Sequence, residues 1–81
     1  MEIKILGAGC ANCKLLHQRT MDALAELKVD ADVQKVEDFA EIAKHGILAT
    51  PALVINGKVK VYGRVPATQQ IAKYIQDEMK G

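Results

Sequence analysis

The stretch Ala52-Leu53-Val54-Ile55-Asn56-Gly57-Lys58-Val59-Lys60-Val61-Tyr62 decides the fold class. Two β-rich runs joined by Asn-Gly are the strongest short-range signal for a hairpin, because the tight turn needs positive φ at both central residues. The first run is wholly apolar, as a central strand covered on both faces is. The second alternates Lys and Val, as a strand with one wet face does. Directly before the first run stands Thr50-Pro51, where a strand can begin with a residue that has no N–H to pair.

Working outward towards the N-terminus, Asp38 with Glu41 three residues on forms a capping-box pattern that opens a short helix, and Gly46 is its candidate C-terminal cap. Residues 29–36 alternate and read as a strand. From Ala11 to Lys28, Leu16, Thr20, Leu24 and Leu27 recur at helical spacing among strong helix formers. Gly7-Ala8-Gly9 breaks the chain before that helix, and Glu2-Ile3-Lys4-Ile5-Leu6 alternates as a first strand. Towards the C-terminus, Gly63-Arg64-Val65-Pro66 is a turn with Pro66 at or beside a helix start. Ile71, Ile75 and Met79 then make the apolar face of a closing helix. The order is β-α-β-α-β-β-α. Strand–helix–strand requires a right-handed parallel crossover, and the hairpin must be antiparallel. The expected architecture is an α/β fold with a four-stranded mixed sheet, helices on both faces, and one domain over residues 1–81.

Composition narrows the function. The chain has 81 residues, 49% of them hydrophobic and 26% charged, which fits an ordinary globular domain and not a disordered one. Eleven basic against ten acidic residues leave no electrostatic footprint for nucleic acid or a membrane surface. Phe39, Tyr62 and Tyr74 are too few aromatics for a single-strand stacking platform. No apolar run is long enough to span a bilayer and no secretory signal pattern opens the chain, so the expected compartment is the cytoplasm.

The two cysteines carry the chemistry. Cys10 and Cys13 would close almost the shortest loop a disulfide can close, which constrains little of the unfolded chain, so a structural staple explains them poorly. Redox exchange and soft-metal binding remain.

Three stretches carry a family resemblance: Gly9-Cys10-Ala11-Asn12-Cys13-Lys14 after the first strand, residues 46–57 with Thr50-Pro51 opening the third strand, and Gly63-Arg64-Val65-Pro66. With this element order they resemble the thioredoxin superfamily, and more closely its small thioredoxin/glutaredoxin-like redox-active disulfide proteins. The resemblance implies a thioredoxin-like fold and dithiol–disulfide oxidoreductase activity on protein disulfides. It also implies a cis Thr50–Pro51 peptide lying against the cysteine pair. Cys10 is then the nucleophile, at a helix N-terminus that favours thiolate, and Cys13 the resolving thiol about one turn in. Ala11, Asn12, Lys14, Thr50 and Pro51 are the supporting residues. The expectation is a monomer without bound cofactor or metal, recharged by an upstream flavin-dependent disulfide reductase. The chain departs from thioredoxin in having Gly9 where Trp precedes the first cysteine, and Ala11-Asn12 in place of Gly-Pro. Only Gly63-Arg64 remains of the acidic Gly-Gly turn with which glutaredoxins hold glutathione.

The alternative is a Cu(I) or Zn carrier using the same two thiolates. Heavy-metal-associated domains carry Met two positions before the first cysteine, where this chain has Ala8, and they end on a strand where this chain ends on a helix. A closed zinc site needs four ligands, and the only histidines are His17 and His45. Gly7-Ala8-Gly9 also begins like a dinucleotide fingerprint, but its sixth position is Asn12 and the chain is too short for that fold.

Overall fold

The computed structural model describes residues 1–80. Along them run β1 (Glu2–Leu6), α1 (Ala11–Leu27), β2 (Asp32–Val36), α2 (Phe39–Ala43), β3 (Ala52–Ile55), β4 (Lys58–Tyr62) and α3 (Thr68–Met79). The strands lie in the order β2-β1-β3-β4. β1 runs parallel to β2, the pair linked through α1, and antiparallel to β3, with Ile5 opposite Leu53. The two most apolar strands therefore take the centre, where all four residues of β3 are buried. The largely exposed strands β2 and β4 take the edges, where Lys35, Lys58 and Lys60 put charge that discourages further pairing.

Period-two alternation divides the central side chains between two layers. Ile3, Ile5, Leu53 and Ile55 face α1 and α3 and pack with Leu16, Leu24, Ile71 and Ile75. Leu6, Ala52 and Val54 point the other way and meet Ile42 of α2. Within α1, the buried Thr20 hydroxyl donates to the Leu16 carbonyl at 2.8 Å, which satisfies it inside the apolar layer.

The hairpin turn has φ of 51° at Asn56 and 81° at Gly57, as the Asn-Gly reading requires. Asn56 also fastens the turn to β1: its N–H donates to the Glu2 carbonyl at 2.7 Å, and its side-chain oxygen accepts from the Glu2 N–H at 3.0 Å.

Several boundaries differ from the sequence reading. The second strand begins at Asp32, not at residue 29. The Lys28 N–H bonds the Ala25 carbonyl and the Val29 N–H the Leu24 carbonyl, so these two residues close α1, with Lys28 left-handed at φ 55°. Asp38 caps α2 by position, but its side chain makes no cap hydrogen bond; Glu41 turns instead to Lys44 at 3.0 Å. Gly46 lies beyond that helix, in the turn that follows. Alternation put Val59 and Val61 on one face, yet Val61 is 7% exposed and Val59 36%. A bulge between the Leu53–Val61 and Val54–Val59 pairs inserts Lys60 and reverses the sides. Met79 ends α3 exposed, outside the core. Pro66 is buried two residues before α3 starts, and Arg19 of α1 donates to its carbonyl at 3.1 Å. Among the described residues, no helix is long and apolar enough to cross a membrane.

Candidate active site

At the end of β1 the chain turns through residues 7–9 into α1, and this turn sets the depth of both sulfurs. Gly7 is buried, and its N–H continues the β1–β2 pairing by bonding the Val36 carbonyl at 2.9 Å. A Cβ at Gly7 would overlap Cys13 Sγ and stand 3.7 Å from Thr50 Cβ. The missing side chain is what lets the first turn of α1 settle on the sheet with Cys13 inward. Sequence marked Gly7 only as part of a chain break; the structure ties it to Cys13. Gly9, at φ 76° with open space around it, serves the turn itself.

Cys10 is the N-cap of α1, with extended backbone, and is exposed. Its Sγ accepts from the Cys13 N–H at 3.1 Å, the position that a capping Ser or Asp oxygen fills elsewhere. The first turn holds no acidic side chain to offset the positive end of the helix dipole. Cys10 and Cys13 are disulfide-bonded, with Cα atoms 5.0 Å apart. Cys13 is only 6% exposed, so the two sulfurs of one bond differ sharply in access.

Of the other residues singled out by sequence, Ala11 and Asn12 lie exposed on the first turn of α1. Lys14 lines a cavity of about 50 Å³ beside Cys13, together with Gly7, Lys35 and Glu37. That is ample for a water molecule, which needs only ~10–15 Å³. Lys35 and Glu37 went unmarked in the sequence, since only the β1–β2 register, with Ile5 opposite Lys35, brings them near the cysteines. His17, one turn beyond Cys13, is held below the ordinary imidazole range, first by burial and then by the Lys35 charge. The Thr50–Pro51 peptide is cis. Thr50 is exposed and Pro51 buried, with the Pro51 carbonyl accepting from the Gly63 N–H at 2.8 Å. Among the described residues, no third His, Cys, Asp or Glu joins the two cysteines into a metal-sized cluster.

An exposed sulfur at a helix N-terminus, bonded to a shielded one a turn away, suits exchange of that bond with an incoming disulfide. The fold and the pair together define the class of dithiol–disulfide oxidoreductases. A family model described as thioredoxin domain matches residues 1–76. A thioredoxin of Methanothermobacter thermautotrophicus is 37% identical over 75 residues, covering 93% of this chain and 97% of that protein. A thioredoxin of Methanocaldococcus jannaschii is 29% identical over 79 residues, covering 98% and 91%. Among solved structures, thioredoxin 1 from Thermosipho africanus shares the fold, with a TM-score of 0.65 over 99% of this chain and 96% of that one, at 16% identity. The chain belongs to the thioredoxin family and is a thiol–disulfide oxidoreductase.

Proposed function

We propose that the chain, a single domain working as a monomer in the cytoplasm, carries two electrons to disulfides of partner proteins, with Cys10 attacking and Cys13 resolving. The difference in exposure between the two sulfurs carries this division of labour. In the dithiol form, the Cys10 thiolate attacks one sulfur of the partner disulfide. A mixed disulfide forms and one partner thiolate leaves. Cys13 then loses its proton and attacks Cys10 Sγ, which breaks the mixed disulfide and releases the second partner thiolate. The partner gains two electrons and takes up two protons; the chain ends with the Cys10–Cys13 disulfide.

The α1 N-terminus and the Cys13 N–H favour the thiolate at Cys10. Lys14 adds positive charge in the first turn, Ala11 and Asn12 present a small uncharged surface, and Thr50-Pro51 meets the partner segment. An upstream flavin-dependent disulfide reductase returns the dithiol. The test is thiol trapping after redox equilibration, with wild type, Cys10→Ser and Cys13→Ser. The wild type forms a reversible intramolecular disulfide, and Cys13→Ser accumulates mixed disulfides with a reduced partner's oxidised counterpart while Cys10→Ser does not. Equal trapping by both variants would reverse or abolish the assignment of roles. Retention of Cu(I) without any reversible disulfide would favour the metal carrier instead.

A further inference from the structure

Gly63-Arg64-Val65-Pro66-Ala67 joins β4 to α3 without regular secondary structure, so its backbone groups need partners elsewhere. This strap is fastened at both ends. At the first, the Gly63 N–H donates to the Pro51 carbonyl at 2.8 Å. A Cβ on Gly63 would stand 3.4 Å from Ala49 Cβ, so the strap lies close against residues 49–51. At the second, the half-buried Arg19 reaches across from α1. Its guanidinium donates to the Pro66 carbonyl at 3.1 Å and to the Val65 carbonyl at 3.5 Å. Pro66 is buried and Val65 packs on the larger core layer, which holds the strap by its apolar atoms. Apolar contact has no direction, whereas a hydrogen bond does. The guanidinium therefore fixes where along α1 the strap lies.

Arg19 stands six residues after Cys13 on the same helix, or about 9 Å along its axis. Through Arg19, the strap and the Gly63–Pro51 bond, the helix that carries both cysteines is tied to the segment that meets the partner in the proposed function. A partner disulfide held against Thr50 reacts only when its sulfurs also lie in line with Cys10 Sγ. A misplacement of about 1 Å in such an alignment can cost on the order of a hundredfold in rate.

We propose that Arg19 is a positioning residue for disulfide exchange, which sets Thr50-Pro51 against Cys10 by holding the 63–67 strap to α1. This rests on the oxidoreductase reading above. The experiment compares wild type, Arg19→Ala and Arg19→Lys on a peptide disulfide, long enough to span from Cys10 to Thr50, and on hydroxyethyl disulfide, which is too short to do so. Reduction potential, thermal melt and exchange of the Gly63 amide are read on the same proteins.

Arg19→Ala is expected to lose about tenfold in kcat/KM on the peptide and less than about twofold on hydroxyethyl disulfide. The loss falls on kcat more than on KM, since the peptide still binds but is held off line. The potential stays at the wild-type value, and the Gly63 amide exchanges faster relative to amides of β3. Arg19→Lys, whose ammonium also donates to a carbonyl, keeps most of the peptide rate. Should Arg19→Ala melt below the assay temperature, Arg19→Gln carries the comparison, with a smaller loss of the same kind. Equal losses on both substrates overturn the proposal. So does a lowered melt with the wild-type ratio between substrates, which leaves Arg19 a structural role alone. A fallen peptide rate with an unchanged Gly63 amide overturns the route through the strap, and a loss in Arg19→Lys as large as in Arg19→Ala overturns the part given to hydrogen bonding. Failure of the wild type on every disulfide, hydroxyethyl disulfide included, sinks the oxidoreductase reading itself.

Discussion

Replacing Gly7 with Ala tests how the turn before α1 governs the disulfide. The new Cβ would overlap Cys13 Sγ and stand 3.3 Å from Cys13 Cβ. In the oxidised protein that sulfur is held at both ends, by its own backbone in α1 and by Cys10, so relief requires the helix or the strand end to move. In the dithiol, the Cys13 side chain is free to rotate away. The methyl therefore opposes the oxidised form more than the reduced one. Overpacking a buried site by one methyl costs about 1–3 kcal/mol. For a two-electron couple ~30 mV corresponds to ~1.4 kcal/mol, so the reduction potential should rise by roughly 20–60 mV. The oxidised form should also melt lower, by about 4–8 °C for each kcal/mol in a domain of this size, while the reduced form shifts less. Gly9→Ala is the control: it meets nothing within 4 Å, and its cost comes from the positive φ of 76°. That backbone cost falls on both redox forms, so the potential should stay put. Potentials are read by equilibration in thiol buffers followed by alkylation and mass analysis. A Gly7→Ala potential within about 5 mV of wild type, or equal losses in both melts, would refute the steric reasoning.

Further outcomes follow from other parts of the molecule. Lys28→Gly should stabilise the chain by about 0.5–1 kcal/mol, read by thermal or urea melts, because Lys28 closes α1 at φ 55° where glycine meets no side-chain penalty. Thr20→Val should change stability by less than about 1 kcal/mol, since the Leu16 carbonyl keeps its helical partner when the hydroxyl goes. Glu78 is held below the ordinary carboxylate range, first by the hydrogen bond from Lys60, Nζ to Oε2 2.6 Å. Its contribution is thus present above the unfolded carboxylate value and lost as pH falls through the lowered folded value; Glu78→Gln should flatten that part of the acid-melting profile. His17 is also lowered, but as a base, so the unfolded chain takes up a proton first as pH falls below the ordinary imidazole value. Stability declines from there down to the folded value, and His17→Gln should remove that slope in melts between neutral and mildly acid pH.

The features that sequence made legible are those whose cause is local. Asn56-Gly57 fixes its own turn, Cys10 caps the helix that begins one residue later, and the apolar run Ala52–Ile55 can only be a covered strand. What escaped depends on a second element. The bulge that inserts Lys60 depends on the pairing with β3, and the Lys60 and Lys58 side chains meet Glu78 of α3. The Asp38–Glu41 box did not close because Glu41 has Lys44 within reach, a nearby ion pair that sequence spacing presents as plainly as the cap itself. Val29 opens the run that alternates as a strand would, yet its N–H bonds the Leu24 carbonyl to finish α1, and hydrogen-bond closure overrides the pattern. Leu48 sits in a stretch with no periodicity, so its exposure was invisible, and Phe39 looked like any apolar residue at the start of a short helix.

The site itself shows the same division more sharply. The spacing of Cys10 and Cys13 says that the two can bond, but nothing in Cys-x-x-Cys says which sulfur is open to a partner. That asymmetry arises from two separate causes. Cys10 is exposed because an N-cap lies outside the helix, with its side chain folded back over the first turn. Cys13 is shielded because the helix rests on the end of β1, and it can rest there only while residue 7 has no side chain. Burial of the second sulfur is therefore a property of the β1–α1 junction and not of the motif. Ala11 and Asn12 are exposed, so changes there alter the surface around Cys10. Changes at Gly7, three residues before the motif begins, act on the dithiol–disulfide balance without being seen by the partner. In the proposed function a partner meets the surface running from Cys10 past Thr50, whereas the Gly7–Cys13 contact lies beneath it, so partner choice and redox balance can be altered independently.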